Sequence, residues 1–276
     1  MGRILRVTYD RIIMGNFISW FERSYKGIII VLVAIMAITL VVLAMQQVNA
    51  SKPAAGAEPG PVPTFTSKAS IDPLQLPKNP QVLVIGDSYA QGTGASSDAA
   101  RWTTLLAEDQ GWDAKVDGIG GTGFTWGGGD DGKDSNQFST RIAAHAKDKN
   151  IAPALVILEG GQNDYRADAS DLVAAVKEDV QAVRAAWPDA EVIVIGPAAP
   201  EPLATEIERM DTSVEAGARA ADAYSINPRA TKWFNDENSA QFNFDGAHVN
   251  DGGHKLIAAK VGEALDQFTV GADPTF

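Results

Sequence analysis

The stretch QVLVIGDSYAQ, residues 81–91, decides the fold class of this chain. Its first six residues form a short and almost uninterrupted apolar run, which is typical of a strand covered on both faces in a parallel sheet. Two runs of the same kind follow, ALVILE at 154–159 and EVIVIG at 191–196, and a weaker one lies at 114–119. The sequence therefore predicts a parallel β-sheet.

Helical stretches separate these runs. Residues 169–187 carry apolar side chains at three- and four-residue spacing, as expected for a helix that packs one face on a sheet. Further helices are predicted at 98–110, 137–148, 203–222 and 252–268. This alternation predicts an α/β fold, a doubly wound parallel sheet flanked by helices in a three-layer sandwich. In such folds ligands bind beyond the carboxyl ends of the strands, so chemistry is expected just after Ile85, Ile119 and Leu158.

The N-terminal region predicts one transmembrane helix. Residues 27–45 are 19 uncharged, mostly apolar residues, and as a helix they would span about 28 Å, close to the hydrocarbon core of a bilayer. Basic residues precede this run, so residues 1–26 are expected in the cytoplasm and the rest outside. The alternative is a signal peptide cleaved after Ala50, because Val48-Asn49-Ala50 resembles a cleavage site.

Composition divides the remaining chain and excludes some functions. Seven of the 14 prolines lie within 46–80, which predicts an extended linker ahead of a folded domain over 81–270. The net charge is −12, although residues 1–50 carry five basic and only two acidic side chains. Such an acidic domain repels phosphates, so no nucleic-acid partner is expected. Cysteine is absent, which excludes disulfides and a cysteine nucleophile.

Unusual motifs follow the first two predicted strands. Gly86-Asp87-Ser88 places a serine where a helix begins, and the free N–H groups there would stabilise an oxyanion on an attacked substrate. The alternative is that Asp87 or Ser88 is an ordinary helix cap. Residues 118–123, GIGGTG, would let the backbone approach a ligand. A dinucleotide site is disfavoured, since this motif follows the second strand and has no acidic ribose partner.

Two further motifs lie later in the chain. Residues 160–164, GGQND, offer the Asn163 amide as a neutral hydrogen-bond donor, or alternatively form a simple turn. Asp245 precedes His248 by three residues, so the carboxylate can fix the tautomer of the imidazole.

A second pair, Asp251 and His254, has the same spacing. Asp251 stands before a helical segment and is expected to be its N-cap, which places His254 against the core. His248 is therefore the histidine predicted to act.

Together these motifs resemble the blocks of the SGNH (GDSL-like) hydrolase family, over residues 81–268. GDS resembles block I, Gly121 block II, GQND block III and DGAH block V, although the adjacent Gly120 is an alternative for block II. The resemblance implies a five-stranded parallel sheet and an acyl-serine intermediate. It assigns Ser88 as nucleophile, His248 as base and Asp245 as its orienting partner, with no metal or cofactor. The implied oxyanion hole is formed by the Ser88 N–H, the Gly121 N–H and the Asn163 side chain.

These observations predict a membrane-anchored serine esterase that acts on acyl or acetyl esters of a cell-envelope glycan or lipid. An acyltransferase that passes the acyl group to a sugar hydroxyl is the alternative, and an inactive glycan-binding domain is a second one. The loop from Phe124 to Asp134 is unassigned, because its aromatic rings either stack on a sugar or are simply buried.

Overall fold

The computed structural model describes residues 72–270. Five parallel strands form one sheet in the order β2-β1-β3-β4-β5. They are β1 (Gln81–Gly86), β2 (Asp113–Gly118), β3 (Leu155–Glu159), β4 (Glu191–Ile195) and β5 (Tyr224–Ile226). The predicted parallel sheet is confirmed. The apolar pattern missed β5, because three residues are too few to show a periodicity.

Helices connect the strands and cover both faces of the sheet. They are α1 (Ser88–Gln91), α2 (Trp102–Gln110), α3 (Phe138–His145), α4 (Ala169–Ala186), α5 (Leu203–Glu206), α6 (Glu208–Ala220), α7 (Ser239–Phe242) and α8 (Asp251–Thr269). The single helix predicted over 203–222 is wrong, because Ile207 leaves helical geometry (ψ 8°) and separates α5 from α6. The helix predicted from residue 98 begins at Trp102, after a separate 3₁₀ turn.

Alternate residues of each central strand face two different cores. In β1, Val82 and Val84 pack with α2 and α8, whereas Leu83 and Ile85 pack with α3, α4 and α6. Both faces of the sheet are therefore buried, which explains why the strands are apolar runs without polar alternation.

Packing of the domain begins ahead of β1. Leu74 is buried, and its backbone N–H donates to the carbonyl of Phe268 at 3.0 Å. The predicted segments 1–26 and 27–45, and the linker as far as residue 71, lie outside the described residues. Within residues 72–270, no helix combines the length and apolar character needed to cross a bilayer.

The strand order reverses direction at β1. From β1 the chain passes to β2 on one side of the sheet, and then returns to β3 on the other side. In doubly wound folds such a switch point opens a crevice at the carboxyl ends of the strands. The loops that follow β1, β2 and β3 meet there, and these loops carry three of the sequence motifs.

Candidate active site

A sharp turn leads from β1 into α1 and places Ser88 at the first helical position. Asp87 caps the helix, since its carboxylate accepts a hydrogen bond from the Tyr89 N–H at 2.9 Å. Gly86 is required here, because a Cβ atom on it would lie 2.5 Å from the Cβ of Ala90. The two interpretations of the motif therefore coexist: Asp87 is a helix cap, and Ser88 stands at the helix start beside free backbone donors.

The structure brings Ser88, His248 and Asp245 into one hydrogen-bonded chain. The Oγ of Ser88 lies 2.9 Å from the Nε2 of His248, and the Nδ1 of His248 lies 2.9 Å from Asp245 Oδ2. In the neutral imidazole consistent with this geometry, Nδ1–H donates to the carboxylate and Nε2 accepts from the serine hydroxyl. This is the arrangement in which a histidine removes a proton from a serine.

The Asp245 carboxylate is held in its ionised form by local donors. Its Oδ1 accepts hydrogen bonds from the backbone N–H groups of Ala247 (2.9 Å) and His248 (2.8 Å). Partial desolvation acts to raise the pKa of Asp245, but these bonds and the His248 side chain outweigh it and lower that pKa below its ordinary value. Asp245 is therefore suited to stabilise a positive charge on the imidazole.

Tyr89 connects the serine turn to the histidine loop. Its hydroxyl donates to the carbonyl of Ala247 at 2.8 Å, and its ring centroid lies 5.7 Å from that of His248. The side chain of Tyr89 is buried, so this contact fixes the loop from within the domain. No sequence motif indicates this role, because it rests on a contact between residues 158 positions apart.

The two adjacent glycines after β2 differ in their hydrogen bonding. The N–H of Gly120 donates to the Oε1 of Gln91 at 2.7 Å. Gly121 has a φ of +74°, and no atom lies within 4 Å of the position its Cβ would take. Within residues 72–270 its N–H has no hydrogen-bond acceptor. Gly121 is therefore the glycine with a donor available to a ligand.

Asn163 lies next to the serine turn, with its amide engaged in the absence of substrate. Its Nδ2 donates to the carbonyl of Thr122 at 2.8 Å and to Asp87 Oδ2 at 3.2 Å. These contacts connect the loops that follow β1, β2 and β3. They also leave neither amide hydrogen free in this structure, since a primary amide has two.

Two carboxyl groups are buried beneath the serine turn. Glu159, at the end of β3, accepts a hydrogen bond from the Ala90 N–H at 3.1 Å. Burial raises the pKa of Asp87 to about 7, and burial together with the nearby Asp87 raises the pKa of Glu159 well above its ordinary value. Two close carboxyl groups in such a site hold a proton, because both cannot ionise in a low dielectric.

Arg141 connects the carboxyl ends of β1 and β2. It is buried, donates to the Gly86 carbonyl (3.0 Å) and Thr122 Oγ1 (3.1 Å), and forms an ion pair with Asp117 (3.1 Å). The sequence analysis did not single out Arg141. The available signal was its position three residues after Phe138, on the apolar face of a short helix.

His254 is fully buried, as the sequence predicted. Its Nε2 lies 3.1 Å from the Thr93 carbonyl, and its Nδ1 accepts from the Trp102 N–H at 3.4 Å. Desolvation lowers the pKa of His254, so the neutral ring is favoured.

The prediction that Asp251 caps the last helix is wrong. Asn250 is the N-cap, and its side chain accepts from the Gly253 N–H at 3.2 Å. Asp251 is instead the first helical residue, and its carboxylate accepts from the N–H and the hydroxyl of Ser96, each at 2.7 Å.

The loop after block II is anchored by Asp164. This buried carboxylate accepts hydrogen bonds from the N–H groups of Phe124 (3.2 Å) and Thr125 (2.7 Å). Phe124 is buried, with its ring centroid 4.6 Å from that of Phe138. Of the two alternatives for this loop, the buried ring therefore holds for Phe124, which belongs to the core.

Comparisons with known proteins identify the family. The sequence profile of the GDSL-like lipase/acylhydrolase family matches residues 84–256. A GDSL lipase from Mycobacterium tuberculosis is 33% identical over 202 residues, which cover 69% of this chain and 83% of that protein.

Solved structures share the fold at low sequence identity. A carbohydrate esterase family 2 enzyme from Corynascus thermopiles gives a TM-score of 0.56 at 16% identity, covering 72% of this chain and 68% of that one. A G-D-S-L family lipolytic protein from Desulfitobacterium hafniense gives 0.52 at 16% identity, covering 66% of this chain and 98% of that one. On the strength of the profile match and the sequence relative, this chain belongs to the GDSL-like lipase/acylhydrolase family and is an SGNH hydrolase.

Proposed function

We propose that this chain is a membrane-anchored serine esterase that hydrolyses acyl or acetyl esters of a cell-envelope glycan or lipid. The observation that carries the proposal is the hydrogen-bonded chain from Ser88 through His248 to Asp245, with both distances at 2.9 Å. The Cβ position of Gly120 lies 3.7 Å from the Cβ of Ser88, and the N–H of the next residue, Gly121, has no acceptor in the described part of the chain.

The reaction runs through an acyl-serine. The Oγ of Ser88 attacks the ester carbonyl carbon while the Nε2 of His248 takes the hydroxyl proton. Asp245 stabilises the imidazolium, which then gives the proton to the leaving alcohol as the ester C–O bond breaks. Water attacks the acyl-serine in the same way, and its proton passes through His248 back to Ser88. The carboxylic acid is released and the site is restored.

The negative charge that develops on the carbonyl oxygen needs donors close to Ser88. The proposed donors are the Ser88 N–H, the Gly121 N–H and the Asn163 amide. Asn163 donates at 2.8 Å to Thr122 but at 3.2 Å to Asp87, so the longer bond is the one that an oxyanion would replace. Negative charge develops on the substrate oxygen only as the transition state forms, so a donor that turns to it there favours the transition state over the ground state.

The substrate class and the location are parts of the proposal with separate support. The likeness to a carbohydrate esterase supports a glycan ester. The apolar run at 27–45, with basic residues before it, supports a single membrane anchor with the catalytic domain outside. Protease added to intact cells should then cleave within 46–71, whereas full protection until lysis would reverse the orientation.

The test uses the full chain in detergent with p-nitrophenyl esters of increasing acyl length, with and without sugar acceptors. Release of free acid, lost in Ser88→Ala, supports the esterase. Acyl transfer to the sugar in preference to water would establish the acyltransferase instead. Binding to glycans without turnover of any ester would refute both enzymatic functions.

A further inference from the structure

One exposed arginine beside the proposed site differs from the other arginines of the domain. Residues 72–270 contain seven arginines, and six of them donate a hydrogen bond or form an ion pair through the guanidinium. Arg166 does neither within this part of the chain, although residues 51–276 are strongly acidic. Its hydrogen-bond donors therefore face solvent without a protein partner.

The guanidinium of Arg166 is nevertheless held in place by two aromatic rings. It lies 4.4 Å from the ring centroid of Trp126 and 5.2 Å from that of Tyr165. Cation–π contacts provide no hydrogen-bond acceptor for the guanidinium, so its N–H groups stay available for a ligand. The edge of an arginine matches the two oxygens of a carboxylate or phosphate.

The backbone that carries Arg166 is fixed on both sides. Arg209 donates to the carbonyls of Tyr165 and Ala167, each at 3.0 Å. Trp126 is supported from the loop as well, since a Cβ on Gly132 would lie 2.4 Å from its ring. Trp126 is half-buried and contacts both Gly132 and Arg166, which makes its ring a support for the guanidinium.

Arg166 is also close in sequence to Asn163, a residue of the proposed oxyanion hole. It follows Asn163 by three residues, a reach of at most about 11 Å. Asn163 itself contacts Asp87, the neighbour of Ser88. Tyr165 is 55% exposed, so its ring is accessible beside the guanidinium. An ester bound at Ser88 with an anionic group a few bonds away would bring that group to Arg166.

We propose that Arg166, held between Trp126 and Tyr165, binds a carboxylate or phosphate group on an esterified glycan and makes the enzyme selective for anionic substrates. This inference rests on the proposed esterase function and adds the charge of its substrate. Arg166 binds a part of the substrate that does not react, so its contribution belongs to KM more than to kcat.

The test compares three acetylated sugars with the ester at the same position: a neutral methyl glucoside, the corresponding methyl glucuronoside and a glucose 6-phosphate. The full-length enzyme should have a higher kcat/KM on one or both anionic esters than on the neutral one. Arg166→Ala should remove this preference, a loss of roughly three- to tenfold that appears mainly in KM. The two anionic arms distinguish a carboxylate from a phosphate as the preferred group.

Control variants distinguish a loss of the preference for anionic esters from a general loss of activity. Arg166→Lys keeps the charge but loses the planar fork, so the preference should fall only in part. Lys149→Ala removes an exposed cation near Ala152, whose N–H donates to Gln81 at the amino-terminal end of β1, away from the site, and should change nothing. Added salt should weaken the preference of the unmodified enzyme.

The inference fails if the enzyme hydrolyses the neutral and anionic esters equally well, or if Arg166→Ala lowers kcat/KM on all three by the same factor. Either result leaves the proposed esterase function standing. Absence of turnover on every ester, with the protein folded, would instead refute the proposed function itself.

Discussion

Replacing His254 with alanine should destabilise the domain and leave it active, and the structure gives the size of the effect. The His254 ring bridges the Thr93 carbonyl and the Trp102 N–H inside the core. Its removal leaves the buried Trp102 N–H and the partly buried Thr93 carbonyl unpaired, at about 1–3 kcal/mol each, and the long 3.4 Å contact belongs at the lower end. The free energy of unfolding should fall by about 2–4 kcal/mol, which lowers Tm by roughly 4–16 °C.

The opposite result is expected for His248→Ala. The His248 side chain is 19% exposed and contacts Ser88 and Asp245 at the mouth of the site. Its loss should reduce kcat by roughly 10⁴-fold or more and shift Tm only slightly, because little packing is lost. His145→Ala is the control for activity alone, because His145 Nε2 lies 2.7 Å from Asp117 and loss of this contact is expected to lower Tm as well.

The assay is thermal unfolding by circular dichroism together with p-nitrophenyl acetate hydrolysis well below every Tm. A stable but inactive His254→Ala protein beside an active His248→Ala protein would refute the reasoning.

The pH dependence of stability provides a second test of the role of His254. Burial lowers the pKa of His254 in the folded state, so the unfolded chain takes up a proton first as pH falls below about 6.5. The free energy of unfolding of the unmodified domain therefore falls as the pH decreases through this range, whereas His254→Ala shows no such loss. The difference in free energy of unfolding between the two proteins should become smaller.

Three further predictions concern the groups around the site. Asn163→Ala should lower kcat by about 10²–10³-fold with a smaller change in KM, and near-normal kcat would remove Asn163 from the oxyanion hole. Arg141→Met should cost about 1–3 kcal/mol in urea unfolding, because it removes the charged hydrogen bonds to Asp117 and the Gly86 carbonyl, which keep only His145 and the Ile119 N–H as partners; a loss below 1 kcal/mol would contradict that role. Burial raises the pKa of Asp179 to about 8, so the folded state holds a proton that the unfolded chain releases near pH 4. The stability that this group contributes is lost as pH rises from about 4 to 8. The urea midpoint of Asp179→Asn, relative to that of the unmodified chain, should therefore be higher at pH 9 than at pH 5. An equal difference between the two midpoints at both pH values would refute this prediction.

The central strands were predictable because their signal is local. A strand buried on both faces must be apolar throughout, so 81–86, 154–159 and 191–196 could be identified without knowledge of their neighbours. β5 has only three residues, and its place at the edge follows from pairing with β4, which no local pattern encodes.

The residues of the candidate site were visible in the sequence only where each stands at a motif. Ser88 and Asn163 follow strands, and Asp245 and His248 lie three positions apart. The residues that hold them were not visible. Tyr89 acts through the distant Ala247 carbonyl, and a motif does not record such a contact.

Arg141 shows the same limit from another element. It lies on a helix far along the chain from the strand end that it fastens, and only the fold brings the two together. The choice of helix cap failed for a different reason. Asn250 and Asp251 are both good N-cap residues, and the contact of Asp251 with Ser96 decides between them.

In the proposed mechanism Ser88 carries the acyl group during turnover. The most direct measurement mixes the full-length enzyme with p-nitrophenyl acetate, stops the reaction with acid within the first turnover, and maps the acetyl group by peptide mass spectrometry. One acetylated peptide is expected, with the modification on Ser88, and none in Ser88→Ala. Hydrolysis that continues with the acetyl group on another residue, or that persists in Ser88→Ala, would contradict it.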